Sequence, residues 1–418
     1  MPTPMSLEHA SEFPTGLSVD EARRSIADLC RQRRVAVDRV RLDRALRRVL
    51  AVDVIAPHAI PPFANSAMDG YALRGADLPR EHEKRFRLTG VMLAGGGESL
   101  RLGVDECVRI TTGAPLPIGA DTVVIRERTR VDDGFIVIPA GQPSGANVRP
   151  AGEDLAEGEL AAHAGQTLDA AQLGLLASCG FTAVPVARHP RVALLVTGDE
   201  LVPLGEPLGF GQIHDSNRYT IAGLLEGIGI VPEPVAHVSD DAAALRDALL
   251  AASAMCDVVI TSGGVSAGEA DHVSGLVAEL GRVHFWKVRM KPGMPVLCGE
   301  IGKALVFALP GNPVSSFATF LTLVRPGLLA MQGAEDPARR WFARLAAPIR
   351  KKHDRTEFLR ARLDSGDDGR LRATPVERQG SGMLRGVAES DCLILVPEST
   401  QALEADDVVE VLMLPGLC

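Results

Sequence analysis

Between residues 190 and 333, short apolar runs alternate with helical patterns, and that alternation constrains the fold more than any other feature of the chain. Residues 191–196, 257–261, 284–288 and 304–308 read as strands that are apolar on both sides. A further strand is expected over 230–238, where Pro232 and Pro234 argue for a sheet edge because proline cannot donate to a ladder on both sides. Helical patterns fall at 216–227 (which Gly229 can terminate), at about 240–254 with leucines at 245, 249 and 250, at 272–280, and from Val314 onward. Strands buried on both faces, each followed by a helix, predict a parallel sheet with helices on either side.

The rest of the chain has a different texture. Residues 19–51 read as helix, with Ser18 or Asp20 placed to cap it and Ala22, Ile26, Leu29, Val37 and Leu42 on one face. Over 57–150 proline and glycine become frequent and short apolar runs at 86–88, 107–110, 122–125 and 135–138 sit between turn residues, which predicts an all-β module. A helix is expected over 168–179, closed by Gly180. From about residue 337 to the end, short strands with Gly/Asp turns such as 366–369 predict a small β-barrel or sandwich. A length of 418 residues allows two to four such domains at roughly 100–200 residues each.

Composition excludes several functions. The net charge is −9, aromatic residues make up 4 %, and there is no long basic run, so nucleic acid and anionic membrane surfaces are not expected partners. No stretch is read as reaching the roughly 20 apolar residues of a membrane span. Seven scattered cysteines without a CxxC pair read as reduced thiols and a cytoplasmic protein, and no Cys/His spacing suggests zinc. An anionic substrate must therefore meet local cations. Only six lysines occur against 38 arginines, and two of them, Lys287 and Lys291, lie within five residues of each other.

In an open parallel sheet, ligands bind beyond the carboxyl ends of the strands. Four polar clusters fall there: Thr197-Gly198-Asp199-Glu200; the stretch from Thr261 to Asp271 containing Gly263, Gly264, Ser266 and Glu269; Lys287 with Lys291; and Pro310-Gly311-Asn312-Pro313. Glycines at a strand-to-helix junction let backbone N–H groups face an anion, although Gly263-Gly264 is also an ordinary tight turn. Glu200, Asp240 and Asp271 beside such a loop suit a magnesium ion shared with substrate phosphate. Asp240 competes for a second role as a helix cap. Lys287 and Lys291 suit a small tetrahedral oxyanion. The Pro310–Pro313 loop is either a rigid wall for a flat ring or a loop terminator. Polar stretches at 62–72, 109–115 and 149–154 are compatible with simple turns.

Taken in order, PPFANSAMDGYA, RITTGAP, RPAGED, TGDEL, SGGVSAGEAD, FWKVRMKPGMP and LPGNPVSS resemble the motif set of the molybdopterin molybdenumtransferases, which include the catalytic domain of gephyrin. The resemblance implies a multidomain α/β plus β chain: an elongated helical/β dimerisation domain (15–56 and 151–187), an inserted β-domain (57–150), a Rossmann-like parallel-sheet domain (188–334) and a C-terminal β-barrel (335–418). It implies transfer of molybdenum from molybdate to adenylylated molybdopterin with Mg2+ and release of AMP. It also implies a homodimer, with the preceding molybdopterin adenylyltransferase and the apo-molybdoenzymes as candidate protein partners. Asp69, Glu200, Asp240, Asp271, Lys287 and Lys291 carry the family's catalytic positions, and Glu200, Asp240 and Asp271 its metal positions. Thr112, Arg149, Asp154, Pro310, Pro313 and Ser381 carry its substrate contacts, and the loop chemistry above adds Gly263, Gly264, Ser266 and Asn312 to them. Two departures stand out: Pro150 and Ala151 follow Arg149 where many relatives carry a basic cluster, and Met294 takes the second lysine position of KPGKP. The alternatives are a molybdopterin-binding scaffold and an adenylyltransferase-like protein that consumes ATP.

Overall fold

The structure is a computed structural model that describes residues 13–96, 99–265, 272–334, 340–366 and 368–414. At its centre lies a seven-stranded sheet in the order Thr15–Leu17, Arg282–Val288, Leu297–Ile301, Ala304–Leu309, Val258–Ser262, Val192–Thr197, Val235–Val238. Val235–Val238 occupies an edge, as Pro232 and Pro234 require. Every strand runs the same way except Leu297–Ile301, which is antiparallel to both neighbours. The expected all-parallel sheet is thus a mixed one. The cause is local: Ile301 pairs with Ala304 across the two-residue turn Gly302-Lys303, with Gly302 at φ 59°, and so tight a turn joins only antiparallel strands.

Both faces of this sheet are covered. One carries Val192, Leu194, Ile260, Leu305 and Phe307 against helices that include Val19–Arg31 and Asn217–Glu226; the other carries Ala193, Leu195, Val259 and Val306 against Ala242–Met255 and Val273–Leu280. The helix Val19–Arg31 starts on a capping box in which Ser18 and Glu21 bond each other's backbone. It stops at Arg31, well short of residue 51. The β-branched run that follows prefers extended backbone, and Val37–Arg41 pairs antiparallel with Ala183–Ala187. Val37 is therefore an exposed strand residue rather than part of a helical core face. The expected second helix is present at Ala170–Ser178, with Gly180 at φ 81° behind it.

Pro313–Met331 is one continuous helical path of 19 residues: Pro313–Thr319, a π-helical turn at Phe320–Val324, then Arg325–Met331. The wide turn leads directly into Arg325-Pro326, where proline removes a backbone donor. By length and mean hydropathy of 1.4 it is the one helix among the described residues that could cross a membrane, a longer apolar stretch than the sequence reading allowed. Its best window is 89 % buried within the protein, which makes it a core helix.

Two β-modules flank this core. A six-stranded sheet runs Thr122–Ile125, Gly70–Leu73, Glu106–Ile110, Lys84–Met92, Phe135–Ile138, Arg130–Asp132 around Leu73, Phe86 and Ile136. Near the C-terminus, Thr356–Ser365 pairs with both Leu371–Pro375 and Cys392–Val396, closing five strands into a barrel. The two-residue strand Met290–Lys291 adds to the barrel edge, with Lys291 directly opposite Glu357. That pairing brings the barrel against the strand ends of the central sheet.

Candidate functional site

Two adjoining cavities open where the sequence places the ligand, beyond the strand ends. The larger, about 700 Å³, is bordered by Thr197, Glu200, Asp240, Gly263, Gly264 and the Pro310–Pro313 loop. The smaller, about 340 Å³, lies between Lys291 and the barrel, with Arg355, Glu357 and Ser381 in its wall. Pro295 borders both.

The floor of the larger cavity is built by close backbone approach. Gly263 sits at φ 102°, and a Cβ there would lie 2.6 Å from Thr197 Oγ1 and 2.7 Å from the Thr197 carbonyl oxygen. Only glycine lets the two strand ends meet. The loop is pinned at its far side, where the Trp286 indole N–H donates to the Val265 carbonyl at 3.2 Å. Asn217, 8 % exposed, donates its amide N–H to Ser262 Oγ at 2.8 Å and to the Gly311 carbonyl at 2.7 Å. A carbonyl only accepts, so the amide nitrogen must face Gly311 and Asn217 Oδ1 is left over. That oxygen and Thr197 Oγ1 are buried with no partner among the described residues. Buried polar atoms are rarely left so, and both residues line the larger cavity.

On the acidic side, Asp199 and Asp240 exchange bonds: Asp199 N donates to Asp240 Oδ2 at 3.2 Å, and Asp240 N to Asp199 Oδ1 at 3.1 Å. The cap of the helix Ala242–Met255 is Asp241, which leaves Asp240 out of that role. Ser266 and Asp271 lie outside the described residues. No group of three His, Cys, Asp or Glu side chains suited to a metal occurs among those that are described.

The two lysines part company. Lys291 Nζ lies 2.8 Å from Glu357 Oε1 in the smaller cavity. Lys287 takes left-handed backbone at φ 63° and its ammonium folds over the Trp286 ring, 4.0 Å from the centroid; it borders neither cavity. Ser381 reaches the smaller cavity on the barrel loop, and its carbonyl accepts from Val314 N at 3.1 Å, just inside the helix that follows Asn312. Buried Arg360 holds that loop by donating from Nε and Nη2 to the Arg378 carbonyl, at 3.1 and 2.6 Å.

Asp69, Thr112 and Arg149 sit on the β-module and Asp154 just beyond it, and all four border neither cavity. Asp69 Oδ1 accepts from Thr112 N at 2.8 Å and from Thr112 Oγ1 at 2.9 Å. The backbone bond first, and the hydroxyl second, hold the Asp69 carboxyl below the usual carboxylate range. Arg149 is exposed, 4.0 Å from Glu153, and the backbone N–H of Asp154 donates to the Ile60 carbonyl at 2.9 Å.

Sequence reasoning passed over Asn217, Arg355 and Glu357. Asn217 had a signal, since Asp215-Ser216-Asn217 opens a helix beside the glycine loop. Arg355 and Glu357 had none: they reach the site only through barrel pairing, in which Lys291 meets Glu357, 66 residues downstream.

A sheet of this kind, with its ligand space beyond the strand ends and a barrel for one wall, is the α/β binding architecture of switch-point clefts. Three family descriptions match: "MoeA N-terminal region (domain I and II)" over residues 17–180, "Probable molybdopterin binding domain" over 193–330, and "MoeA C-terminal region (domain IV)" over 343–414. The molybdopterin molybdenumtransferase of Haemophilus influenzae is 36 % identical over 377 residues, covering 88 % of this chain and 92 % of that protein. The one from Bacillus subtilis is 32 % identical over 412 residues, 96 % and 95 % of the two chains. The crystal structure of the molybdopterin biosynthesis moeA protein from Pyrococcus horikoshii superposes with a TM-score of 0.82 at 26 % identity, covering 96 % of this chain and all of that one. The chain belongs to the molybdopterin molybdenumtransferase family.

Proposed function

We propose that the protein transfers molybdenum from molybdate to adenylylated molybdopterin, releasing AMP. The observation that carries this reading is the pair of cavities joined at Pro295, one with glycine-lined strand ends and carboxylates, the other with Lys291 and Arg355. Two anionic reactants repel each other in water, and adjacent, separately neutralised chambers hold them side by side. In this reading the phosphoanhydride lies along Gly263 and Gly264, over the cavity floor that Thr197 and Asn217 help to build. Pro310 to Pro313 form the wall against a flat ring, and the oxyanion meets Lys291, Arg355 and Ser381.

The residues present fit a magnesium ion. Glu200 and Asp240 border the same cavity, and Asp240 uses one oxygen on Asp199, leaving donor capacity on both side chains. Magnesium is ordinarily bound by one or two carboxylates plus substrate phosphate, so a smaller protein ligand set than a zinc site needs is in keeping. Bound by Glu200, Asp240 and Asp271, the ion would neutralise phosphate charge; the chain's own groups orient the ligand and exclude water. We place Asp69, Thr112, Arg149 and Asp154 in the cleft of a second copy, which makes the working unit a homodimer with modules at 15–56 with 151–187, 57–150, 188–334 and 335–418. Free, buried thiols at Cys30, Cys107, Cys179, Cys256, Cys298 and Cys392 support a cytoplasmic setting.

The test is incubation of the protein with adenylylated molybdopterin, Mg2+ and molybdate. AMP release that needs all three and collapses in Glu200→Gln and Lys291→Ala is expected. No AMP release, or consumption of ATP in its place, refutes the assignment.

A further inference from the structure

The smaller cavity contains a group that an oxyanion site has no evident use for. Glu357 points a carboxylate into it, and its side chain is only 8 % exposed. Parallel pairing sets Lys291 opposite Glu357, so the 2.8 Å ion pair follows from strand register rather than from chance rotamers. Two further side chains stand near the same carboxylate. His353 Nε2 stands 3.5 Å from Glu357 Oε2. Behind them Lys351, 5 % exposed, donates to the carbonyls of Arg355 at 2.9 Å and Glu398 at 3.2 Å. Arg355 lies across the cavity with its Nη1 3.6 Å from Met294 Sδ, where many family members would place another lysine. The wall therefore sets two cations, Lys291 and Arg355, against one built-in anion.

Resting on the reading of this chamber as the oxyanion site, we infer that Glu357 is a specificity residue. Its carboxylate is the internal counterion of Lys291, and a tetrahedral dianion binds by competing with it. A fixed negative charge roughly 5 Å from a bound dianion weakens binding on the order of tenfold at low ionic strength. The penalty scales with ligand charge, so a monoanion of the same shape feels about half of it in free energy, or roughly threefold. Glu357 thus keeps the chamber from trapping its oxyanion too firmly to give it up.

Calorimetric titration of the intact protein with molybdate and with perrhenate, a tetrahedral monoanion, tests this. Glu357→Gln is expected to tighten molybdate about tenfold and perrhenate about threefold, with both gains shrinking as salt is raised. Glu357→Asp, which shortens the reach to Lys291 but keeps the charge, is expected to fall between and decides the matter if Glu357→Gln does not fold. Lys291→Ala should lose molybdate binding. If Lys291→Ala loses binding but Glu357→Gln is unchanged, weaker, or equally tighter for both anions, Glu357 only positions Lys291 and the inference is overturned. If Lys291→Ala binds molybdate like the parent, the chamber is not the oxyanion site and both readings fall together.

Discussion

Asn217 ties three elements of the site through one side chain, and its removal should be measurable as stability before any ligand is added. Truncation in Asn217→Ala deletes the bonds to Ser262 Oγ and the Gly311 carbonyl, both inside a region where Asn217 itself is 8 % exposed. A buried hydrogen bond contributes about 1 kcal/mol net, and a carbonyl left without its partner costs about 1–3 kcal/mol. The two losses together amount to roughly 2–4 kcal/mol. For a unit the size of the central sheet and its helices, each kcal/mol lowers Tm by about 2–4 °C, so the transition that includes it should fall by roughly 4–16 °C. Calorimetry resolves such a shift. Asn217→Asp sharpens the argument, because it is nearly isosteric but replaces a donor with an acceptor that faces the Gly311 carbonyl; it should be at least as damaging near neutral pH. An Asn217→Ala protein melting within about 1 °C of the parent would show that the strand ends are held some other way.

Further outcomes follow from the same geometry. Gly263→Ala forces a side chain into left-handed backbone and against Thr197, which should cost about 2–5 kcal/mol in denaturant unfolding; a neutral substitution would refute the close approach. Thr112→Val keeps the backbone donor but deletes the hydroxyl, so the Asp69 carboxyl should rise part of the way toward its ordinary value in an NMR titration. Since the folded value lies below the unfolded one, the Asp69 contact supports the fold above the unfolded carboxylate value and is lost as pH falls through the folded one. An unmoved titration in Thr112→Val would remove the hydroxyl from the account. Burial pushes the thiols of Cys30, Cys107 and Cys392 up to about 12 and that of Cys298 well above its ordinary value. Iodoacetamide at pH 8 should therefore leave these four unlabelled in the native protein and label them after unfolding; rapid native labelling of Cys298 would contradict its burial.

What the sequence could and could not reveal follows from the range over which each feature is determined. The strands over 192–197, 258–262 and 304–309 were legible because burial on both faces leaves a continuous apolar signature in a few residues. The edge position of Val235–Val238 was legible because two prolines forbid one set of bonds. Leu297–Ile301 was not, since Gly299 and Glu300 break its apolar run and its direction depends on a turn of two residues. The helix reading past Arg31 failed for a related reason: Val37–Arg41 becomes a strand only by pairing with Ala183–Ala187, some 145 residues away. The site divides along the same line. Glu200, Asp240 and the glycine loop lie at the ends of neighbouring strands, so fold class alone draws them together. Lys287 and Lys291 look alike in sequence, yet the backbone turns one back over Trp286 and sends the other to the barrel. Charge in this cleft is therefore set by tertiary pairing, and Lys291 cannot be understood apart from Glu357, a partner that no reading of nearby residues would supply.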